Sequence, residues 1–383
     1  MAAFAYDLLT EDYDNFTNPL AIITINGKNF SENKKGLAIS DVEVEMTSGF
    51  AASIASFWIY GGYSREQSRF LFDDMKNYIL LGSCVVIHLG YENQVREVFR
   101  GFIAKVNFSF QADGIPGVQI TAMDVKGVMM SGSYSRQLLA KYFSDAVKEI
   151  LRQTEYTTMQ SNGIITKIEI TDTPDKPPAG SDRQQNANDR TIEMVGESDY
   201  EFVVKAAKKY NYEFFTVGGT VYFRKAKDNP EILLEIGPGK GLLGYEVVYD
   251  ITGQVESVEV RSTDAGKARQ ISKSQKINSK YSQGSKAKAI LAKSKKVHTD
   301  NTISSKEDAE YRLSYLVEDI SYQLGMLKAE FIGLPELTPG RFLKVDGLGT
   351  AVDNTFYLTT IRHIMNAENG YITRVTGRAA TML

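Results

Sequence analysis

Apolar and polar residues alternate over short stretches of this chain, and this alternation constrains its fold more than any other feature. Between Asp41 and Met46, the apolar residues Val42, Val44 and Met46 share one face and three acidic residues share the other. A period of two residues is typical of a β-strand with one buried face. Comparable stretches follow at 84–89, 95–110 and 118–123. We therefore expect residues 1–125 to form a first tube-like antiparallel β-barrel domain.

Three local features refine this first domain. Asp113-Gly114 separates two of the alternating stretches, and this dipeptide is typical of a tight hairpin turn. Gly101 lies inside the long stretch 95–110, where it predicts a bulge or bend that would curl the sheet. The stretch 54–60 has large side chains on both faces, which predicts that the sheet is covered on both sides there.

Residues 126–235 change to a helical period, and we expect them to form a small interposed α/β domain. Ser198 and Glu201 have capping-box spacing ahead of an apolar stripe that ends at Tyr210. Two aromatic stretches around Gly218-Gly219 then predict a pair of strands. The polar stretch 171–190 contains three prolines and almost no large apolar side chain, so it predicts a Pro-rich linker.

Residues 236–383 return to strand alternation and are expected to form a second tube-like β-barrel domain. The spacing from Gly340 to the turn glycine Gly370 is 30 residues, close to the 32 residues from Gly82 to Gly114. This similarity predicts two related barrels. The predicted fold class is thus mainly β with α+β: two antiparallel tube-like β-barrels with an interposed small α/β domain. A capping-box spacing at Ser304 also predicts a helix over 305–322.

A lysine-rich segment, residues 266–296, interrupts this last domain. It contains no acidic residue and one aromatic residue, and its charge of +10 leaves −13 on the rest of the chain. Dense like charges predict a mobile, exposed loop that could bind an acidic partner. With a single aromatic residue there is no stacking platform, so base recognition is not expected. The candidate partner-binding residues are Lys273, Lys276, Lys280, Lys286 and Lys288.

Composition excludes several functional classes. A single cysteine, Cys84, cannot form an intramolecular disulfide or a multi-cysteine metal site. The net charge of −3 is unlike that of a dedicated nucleic-acid-binding protein. No leader and no run of 18 apolar residues is found, which predicts a soluble protein made in the cytoplasm without membrane insertion.

The sequence also predicts no catalytic, cofactor-binding or metal-binding residues, and hence no enzyme. Residues 239–244 match G-x-G-x-x-G, but a strand pattern rather than a helix follows, which favours a glycine-rich turn over a dinucleotide site. The three histidines, His88, His298 and His363, are widely spaced and are expected to be structural. Asp73-Asp74 is expected to be a solvated pair, because adjacent carboxylates rarely converge on one substrate.

Three ordered groups of motifs resemble the phage late control protein D family, the central hub of contractile tails, which is similar to the N-terminal hub region of VgrG-type spike proteins. The first group is residues 99–106, with the sequence FRGFIAKV, followed by residues 120–124. The second is residues 198–203, with the sequence SDYEFV, followed by Ala206-Ala207 and residues 212–215. The third is residues 333–340, with the sequence GLPELTPG, followed by Tyr357-Leu358-Thr359 and His363.

This resemblance implies a homotrimeric baseplate hub in which three chains place six barrels around a channel. Such a hub is an adaptor that joins a sixfold tail tube to a threefold spike and contacts baseplate wedge proteins. It implies a place in the baseplate of a phage tail or tail-like particle, after synthesis in the bacterial cytoplasm. No spike domain follows residue 383, so we expect the spike to be a separate protein.

Two alternatives stay open from the sequence. A tail-associated peptidoglycan hydrolase would need a converging carboxylate or Cys-His site, which the sequence does not offer. A carbohydrate-binding β protein is suggested by 21 Tyr and 19 Phe, although most of them fall at alternating, core-like positions. The sequence also leaves open whether the particle is a phage, a bacteriocin or another contractile injection system.

Overall fold

The alternating residues 41–46 lie in a strand, as predicted, and this strand belongs to a sheet that extends through most of the molecule. The computed structural model describes residues 3–30, 37–71, 79–92, 94–111, 113–177, 191–264, 269–277, 284–301, 303 and 305–382. Thirteen strands form the large sheet, and smaller sheets accompany it. The mainly β fold with α+β elements is therefore confirmed.

The first part of the chain consists almost entirely of strands. Helix α1 (Tyr6–Asp12) and a 3₁₀ turn (Asp14–Phe16) precede β1 (Pro19–Ile25), β2 (Lys28–Asn29), β3 (Ala38–Thr47), β4 (Ile54–Tyr60), β5 (Tyr63–Ser64), β6 (Arg69–Phe70), β7 (Cys84–Tyr91), β8 (Gln94–Ser109) and β9 (Gly117–Met123). Strands β8 and β9 pair antiparallel, which confirms the hairpin predicted at Asp113-Gly114.

The middle part contains most of the helices. Its elements are α2 (Lys126–Met129), β10 (Tyr134–Leu138), α3 (Phe143–Ile150), α4 (Thr154–Ser161), β11 (Lys167–Ile170), β12 (Ile192–Glu197), α5 (Asp199–Tyr210), β13 (Tyr212–Val217) and β14 (Thr220–Lys225). Strands β13 and β14 form the predicted hairpin, and β11 adds to β14 in parallel. Of the predicted linker 171–190, residues 171–177 contain no helix or strand, and the remainder lies outside the described residues.

The last part returns to strands around two helices. It contains β15 (Ile232–Ile236), β16 (Leu242–Tyr249), β17 (Ser257–Asp264), β18 (Arg269–Lys276), α6 (Ser285–Ile290), β19 (Lys295–Thr299), α7 (Lys306–Ser321), β20 (Gly325–Ile332), β21 (Phe342–Val345), β22 (Asn354–Asn366) and β23 (Gly370–Ala379). Helix α7 confirms the helix predicted over 305–322.

The two strand-rich parts join edge to edge within the large sheet. The strand order along its main path is β16, β20, β23, β22, β3, β4, β9, β8, β7, β1 and β2. Two further strands form a branch, in which β21 pairs with β22 and β15 pairs with β21. The joint is the antiparallel pairing of β3 with β22, which extends from Thr47 opposite Thr360 to Val42 opposite Met365. Closure of either part into a barrel stays a prediction, because the described path has β16 at one end and β2 at the other.

One hydrophobic core lies behind this joint and contains side chains from both strand-rich parts. Phe57 and Ile120 from the first part and Phe331 and Phe356 from the last are all fully buried in it. A second core, between α5 and the β13–β14 hairpin, contains Phe202 and Phe223. A third, smaller core packs α7 against β17 and β18.

Two predictions about the first part are wrong in detail. Strand β4 has one buried face, with Ala55, Phe57 and Ile59 inside, whereas Ile54 is 42% exposed. Its large outward residues include Trp58 and Tyr60, which stack on each other at 5.8 Å and need no second layer. The register shift between β8 and β9 lies between Ile103 and Lys105, not at Gly101. Gly101 is needed for close approach, because a Cβ there would lie 2.2 Å from the Met123 carbonyl oxygen.

The lysine-rich segment 266–296 is not the loop that its charge predicts. Its described residues form β18, α6 and β19, and β17 pairs with β18 on one side and with β19 on the other. Ile271 in β18 is buried in the small core with Val258 and Val260 of β17. The physical reason is that nearby carboxylates pair with several of the cations. The repulsion between the lysines therefore does not prevent the segment from forming strands and a helix.

Two helix N-termini show how well capping signals locate elements. Ser198 caps α5 with a complete capping box, since its hydroxyl accepts from the Glu201 N–H and Glu201 accepts from the Ser198 N–H. For α7 the cap is Ser305, which accepts from the Asp308 N–H at 3.0 Å, one residue later than the predicted Ser304. Both positions satisfy an N–H that has no partner inside the helix.

Candidate functional site

The three histidines lie on three different strands, β7, β19 and β22. His363 is fully buried, where its Nδ1 lies 3.1 Å from Thr373 Oγ1, and burial lowers its pKa to about 3. His298 lies beside Arg312, and burial together with that cation lowers its pKa. His88 lies in β7 and is half-buried, whereas Cys84 on the same strand is buried. Among the described residues, no three His, Cys, Asp or Glu side chains could hold a metal.

The other chemical candidates from the sequence are similarly resolved. The glycine-rich residues 239–244 form a turn that enters strand β16, with Gly239 and Gly241 at positive φ, so the predicted turn is confirmed. Asp73-Asp74 lies outside the described residues. Within the described part of the chain, no helix is long and apolar enough to cross a bilayer.

The predicted partner-binding lysines are distributed over two elements of one small unit. Lys273 and Lys276 lie on β18, and Lys286 and Lys288 lie on α6, where both are exposed. Lys280 lies outside the described residues. The structure therefore brings the four described lysines into the unit formed by β17, β18, α6, β19 and α7, but it does not gather them into one pocket.

Several cations of this unit have carboxylate partners. Lys273 pairs with Glu310 of α7, and Lys276 lies 2.9 Å from Glu256. Glu259 of β17 accepts hydrogen bonds from Arg261, Lys295 and Ser272, which lower its pKa to about 2. Lys286 and Lys288 therefore form the more available part of the positive surface, although Lys288 is close enough to Glu256 to lower its pKa.

A cleft of about 500 Å³ separates α5 from the segment that leads into α7. Four cations line it, but Lys205 lies 2.6 Å from Glu197, and Lys209 lies 3.2 Å from Asp308. Arg312 is 3.5 Å from Asp300 and donates to the Lys208 carbonyl. The Lys209–Asp308 pair and the hydrogen bond from Arg312 to Lys208 attach the small unit to the α/β layer, whereas each of the other two pairs lies within one of them.

A buried ion pair joins the α/β layer to the last strand-rich part. Arg224 Nε lies 2.7 Å from Glu213 Oε1, and the Tyr357 hydroxyl donates to the other carboxylate oxygen. Arg224 Nη2 also donates to the Gly340 carbonyl at 2.8 Å. Burial raises the pKa of Glu213, although Arg224 opposes the shift. The motif residues Gly340 and Tyr357 thus contact β13 and β14 and hold two layers together.

A second buried cluster joins the first and last parts around the motif at 333–340. The Tyr13 hydroxyl donates to Glu336 Oε1 at 2.5 Å, and Arg96 Nε lies 2.8 Å from the same oxygen. The Glu336 side chain is fully buried, and burial raises its pKa. Gly333 is required for packing, because a Cβ there would lie 2.0 Å from the Tyr371 ring.

The two remaining motif acids also have structural partners. Asp124 accepts from the Ser53 and Lys126 N–H groups at 3.0 Å each, and from the Thr216 hydroxyl. Asp199 lies 2.6 Å from Arg136 and accepts from the Tyr156 hydroxyl at 2.7 Å. Asp124 therefore joins the first strand-rich part to β13, whereas the contacts of Asp199 lie within the α/β layer.

The open end of the large sheet is a surface that the sequence did not identify. In the part of the chain that the structure describes, β16 pairs with β20 and ends the sheet on its other side. Three of its apolar side chains are exposed: Leu243 by 56%, Tyr245 by 47% and Val248 by 38%. Alternation at 245–251 indicated a strand, but a period alone cannot show whether that strand lies inside a sheet or at its edge.

Residues 20–367 match the model of the family described as the Alg8 N-terminal domain. This is a different description from the late control protein D family that the motifs resemble. No curated protein sequence matches the chain.

The fold is similar to those of several solved structures. The tail protein from Neisseria meningitidis MC58 aligns with a TM-score of 0.66 and 11% identity, over 94% of this chain and 97% of that one. The 43 kDa tail protein of prophage MuSo2 from Shewanella oneidensis aligns with a TM-score of 0.65 and 10% identity, over 95% and 99%. A component of the E. coli type VI secretion system aligns with a TM-score of 0.56 and 10% identity, over 94% and 78%. At such identities the likeness establishes the fold.

Proposed function

This chain belongs to the family described as the Alg8 N-terminal domain, and from its fold we propose that it is a structural protein of a contractile tail or related injection particle. The observation that carries the proposal is the likeness to two tail proteins over nearly the whole of both chains. Function does not follow from fold alone, so the sites must agree with it. They do, because the motif residues stabilise contacts between layers.

More specifically, we propose a homotrimeric baseplate hub of the late control protein D type. It would lie between the sixfold tail tube and a threefold spike, with wedge proteins around it. The edge-to-edge joint of β3 with β22 supports this reading, since it places two strand-rich parts side by side in each chain. Three chains would then present six such parts, which matches a sixfold tube to a threefold spike.

The exposed lysines supply a proposed contact within that particle. Lys286 and Lys288 on α6 would face an acidic surface of a partner protein. Lys273, Lys276 and Lys280 complete the candidate set, of which Lys280 lies outside the described residues. The charge of +10 on 266–296 supports this, because only part of it is compensated by the carboxylates described above. Replacing these five lysines with glutamine should weaken assembly with that partner in a salt-dependent manner and leave the fold intact.

The function is tested in the particle itself. Particles from a producing strain are labelled with a gold-conjugated antibody against this chain and imaged by electron microscopy. We expect label at one end of the tail tube, and tails without an attached spike when the gene is deleted. Normal tails in the deletion strain, or a chain that never sediments with particles, would overturn the proposal.

A further inference from the structure

The open edge of the large sheet points to a specific interface between copies of this chain. We propose that β16 is the edge to which a second copy adds a strand, so that the sheet continues from one chain into the next. This inference rests on the proposed ring-shaped hub and names the surface that would build it.

The burial of side chains shows that the core is uncovered at this edge. On β20 the inward residues Leu327 and Phe331 are fully buried. Tyr245 of β16 is directly opposite Ala329 of β20 and therefore also points inward, yet it is 47% exposed. Its neighbours on the same face, Leu242 and Val247, are only partly buried against the core. This exposure is expected of a strand that has no neighbour on one side. One further strand beside β16 would cover it.

The backbone of β16 also offers hydrogen bonds to an added strand. Alternate residues of an antiparallel strand direct their N–H and C=O groups to opposite sides. The eight residues of β16 therefore direct about four N–H and four C=O groups away from β20. Soluble proteins usually protect such an edge with charges, proline or a covering element. Here the strand has one charged side chain, Glu246, which lies 3.3 Å from Lys328.

The other end of the sheet is protected in the ways that β16 is not. Strand β1 begins with Pro19, which has no N–H to donate, and β2 covers Thr24 and Ile25. The branch strand β15 is a third edge, and it is contacted by the start of the chain, where the Ala3 and Phe4 N–H groups donate to the Ile232 and Leu233 carbonyls. Of these edges in the described part of the chain, β16 is thus the one whose side chains and backbone are left suited to pairing.

A second copy is the occupant that the fold favours. Within one chain, the two strand-rich parts already join by pairing the edge strands β3 and β22. A joint between chains would repeat this contact, with β16 as the end of the main strand path in the last part. In a ring of three, each contact is heterologous, so β16 meets a different surface of the next copy.

Mass measurement of the purified full-length chain tests this interface. The edge variant carries Tyr245→Lys and Val248→Lys, which place two charges on β16. The control variant carries Leu139→Lys and Val195→Lys, at side chains elsewhere that are 87% and 74% exposed. We expect light scattering to give a trimer of about 128 kDa, three times 42.7 kDa, for the unmodified and control chains. The edge variant should be monomeric, with self-association weakened about 100-fold or more. Unchanged circular dichroism would show that it is folded.

A mixing experiment makes the test sharper. In a heterologous ring, the edge variant keeps its other surface and should bind to unmodified chains, which would convert trimers into smaller species. An edge variant that remains trimeric, or an unmodified chain that stays monomeric at its highest soluble concentration, would overturn the interface. Neither result decides the tail function, which the immunogold experiment tests separately. If the chain is absent from particles, the tail function is rejected, but the molecular masses still decide the interface.

Discussion

Replacing Arg96 with methionine would show whether the buried carboxylate of Glu336 stabilises the molecule only when it is paired. Arg96 Nε lies 2.8 Å from Glu336 Oε1, and the Glu336 side chain has no exposed surface. Removing one partner of a buried pair costs about 3–5 kcal/mol, because a charge is left in a medium of low polarity. Arg96 is itself 37% exposed, so we expect a loss near the lower limit, about 3 kcal/mol in the free energy of unfolding at pH 8.

The pH dependence identifies the cause of that loss. Burial already raises the pKa of Glu336, and removing Arg96 should raise it further. A folded protein that takes up a proton more readily than the unfolded chain gains stability as the pH falls, so the loss should shrink towards pH 5. Urea unfolding monitored by the fluorescence of Trp58, the single tryptophan, would measure it.

Arg374→Met is the matched control for this prediction. Its Nε lies 2.7 Å from Glu330 Oε2, but the two side chains are 50% and 37% exposed. Because water screens this pair, the loss should be less than about 1 kcal/mol and nearly independent of pH. Equal losses for the two variants, or a loss for Arg96→Met that is the same at pH 5 and pH 8, would refute the reasoning.

Three further predictions concern the other packing features. Gly333→Ala should lower the free energy of unfolding by about 1–3 kcal/mol, since the new methyl group would overlap the Tyr371 ring. In the control, Gly244→Ala, the new methyl group meets nothing within 4 Å and should not cause this loss. As the pH falls from 6.5 towards 3, the unmodified chain should lose more stability than the His363→Gln variant. Burial lowers the pKa of His363 to about 3, so the histidine of the unfolded chain takes up its proton first. Parallel plots of unfolding free energy against pH for the two chains would reject this. Ser198→Ala and Ser305→Ala should each cost about 1 kcal/mol by thermal unfolding, as both remove a side-chain cap, and no loss at either site would contradict the cap geometry.

Local patterns predicted the elements well because they depend on neighbouring residues. The strand at 41–46, the hairpin at Asp113-Gly114 and the capped helix after Ser198 all follow from period, turn chemistry and capping within a few positions. The lysine-rich segment was mispredicted because its partners are distant in sequence. Glu256 lies just before β17 and Glu310 lies on α7, and their compensation of Lys276 and Lys273 is visible only after folding.

The candidate surfaces were less predictable for the same reason. Motif resemblance selected Glu336, Gly340 and Tyr357 but could not show that they hold layers together, because Arg96, Tyr13 and Glu213 come from remote parts of the chain. The exposed edge at β16 depends on strand order, and strand order is set by long-range pairing. A period-two pattern is the same at the middle and at the end of a sheet.

The pairing of β3 with β22 also has a consequence for biogenesis. Its partners are separated by about 300 positions, Val42 opposite Met365 being the most distant pair. During translation, β3 leaves the ribosome long before its partner β22 has been synthesised. One edge of β3 therefore stays unpaired in the nascent chain until the β22–β23 hairpin has been made. Contacts between such distant residues slow folding and favour aggregation of incomplete chains. Truncation just before residue 354 should therefore yield insoluble protein rather than a stable amino-terminal fragment.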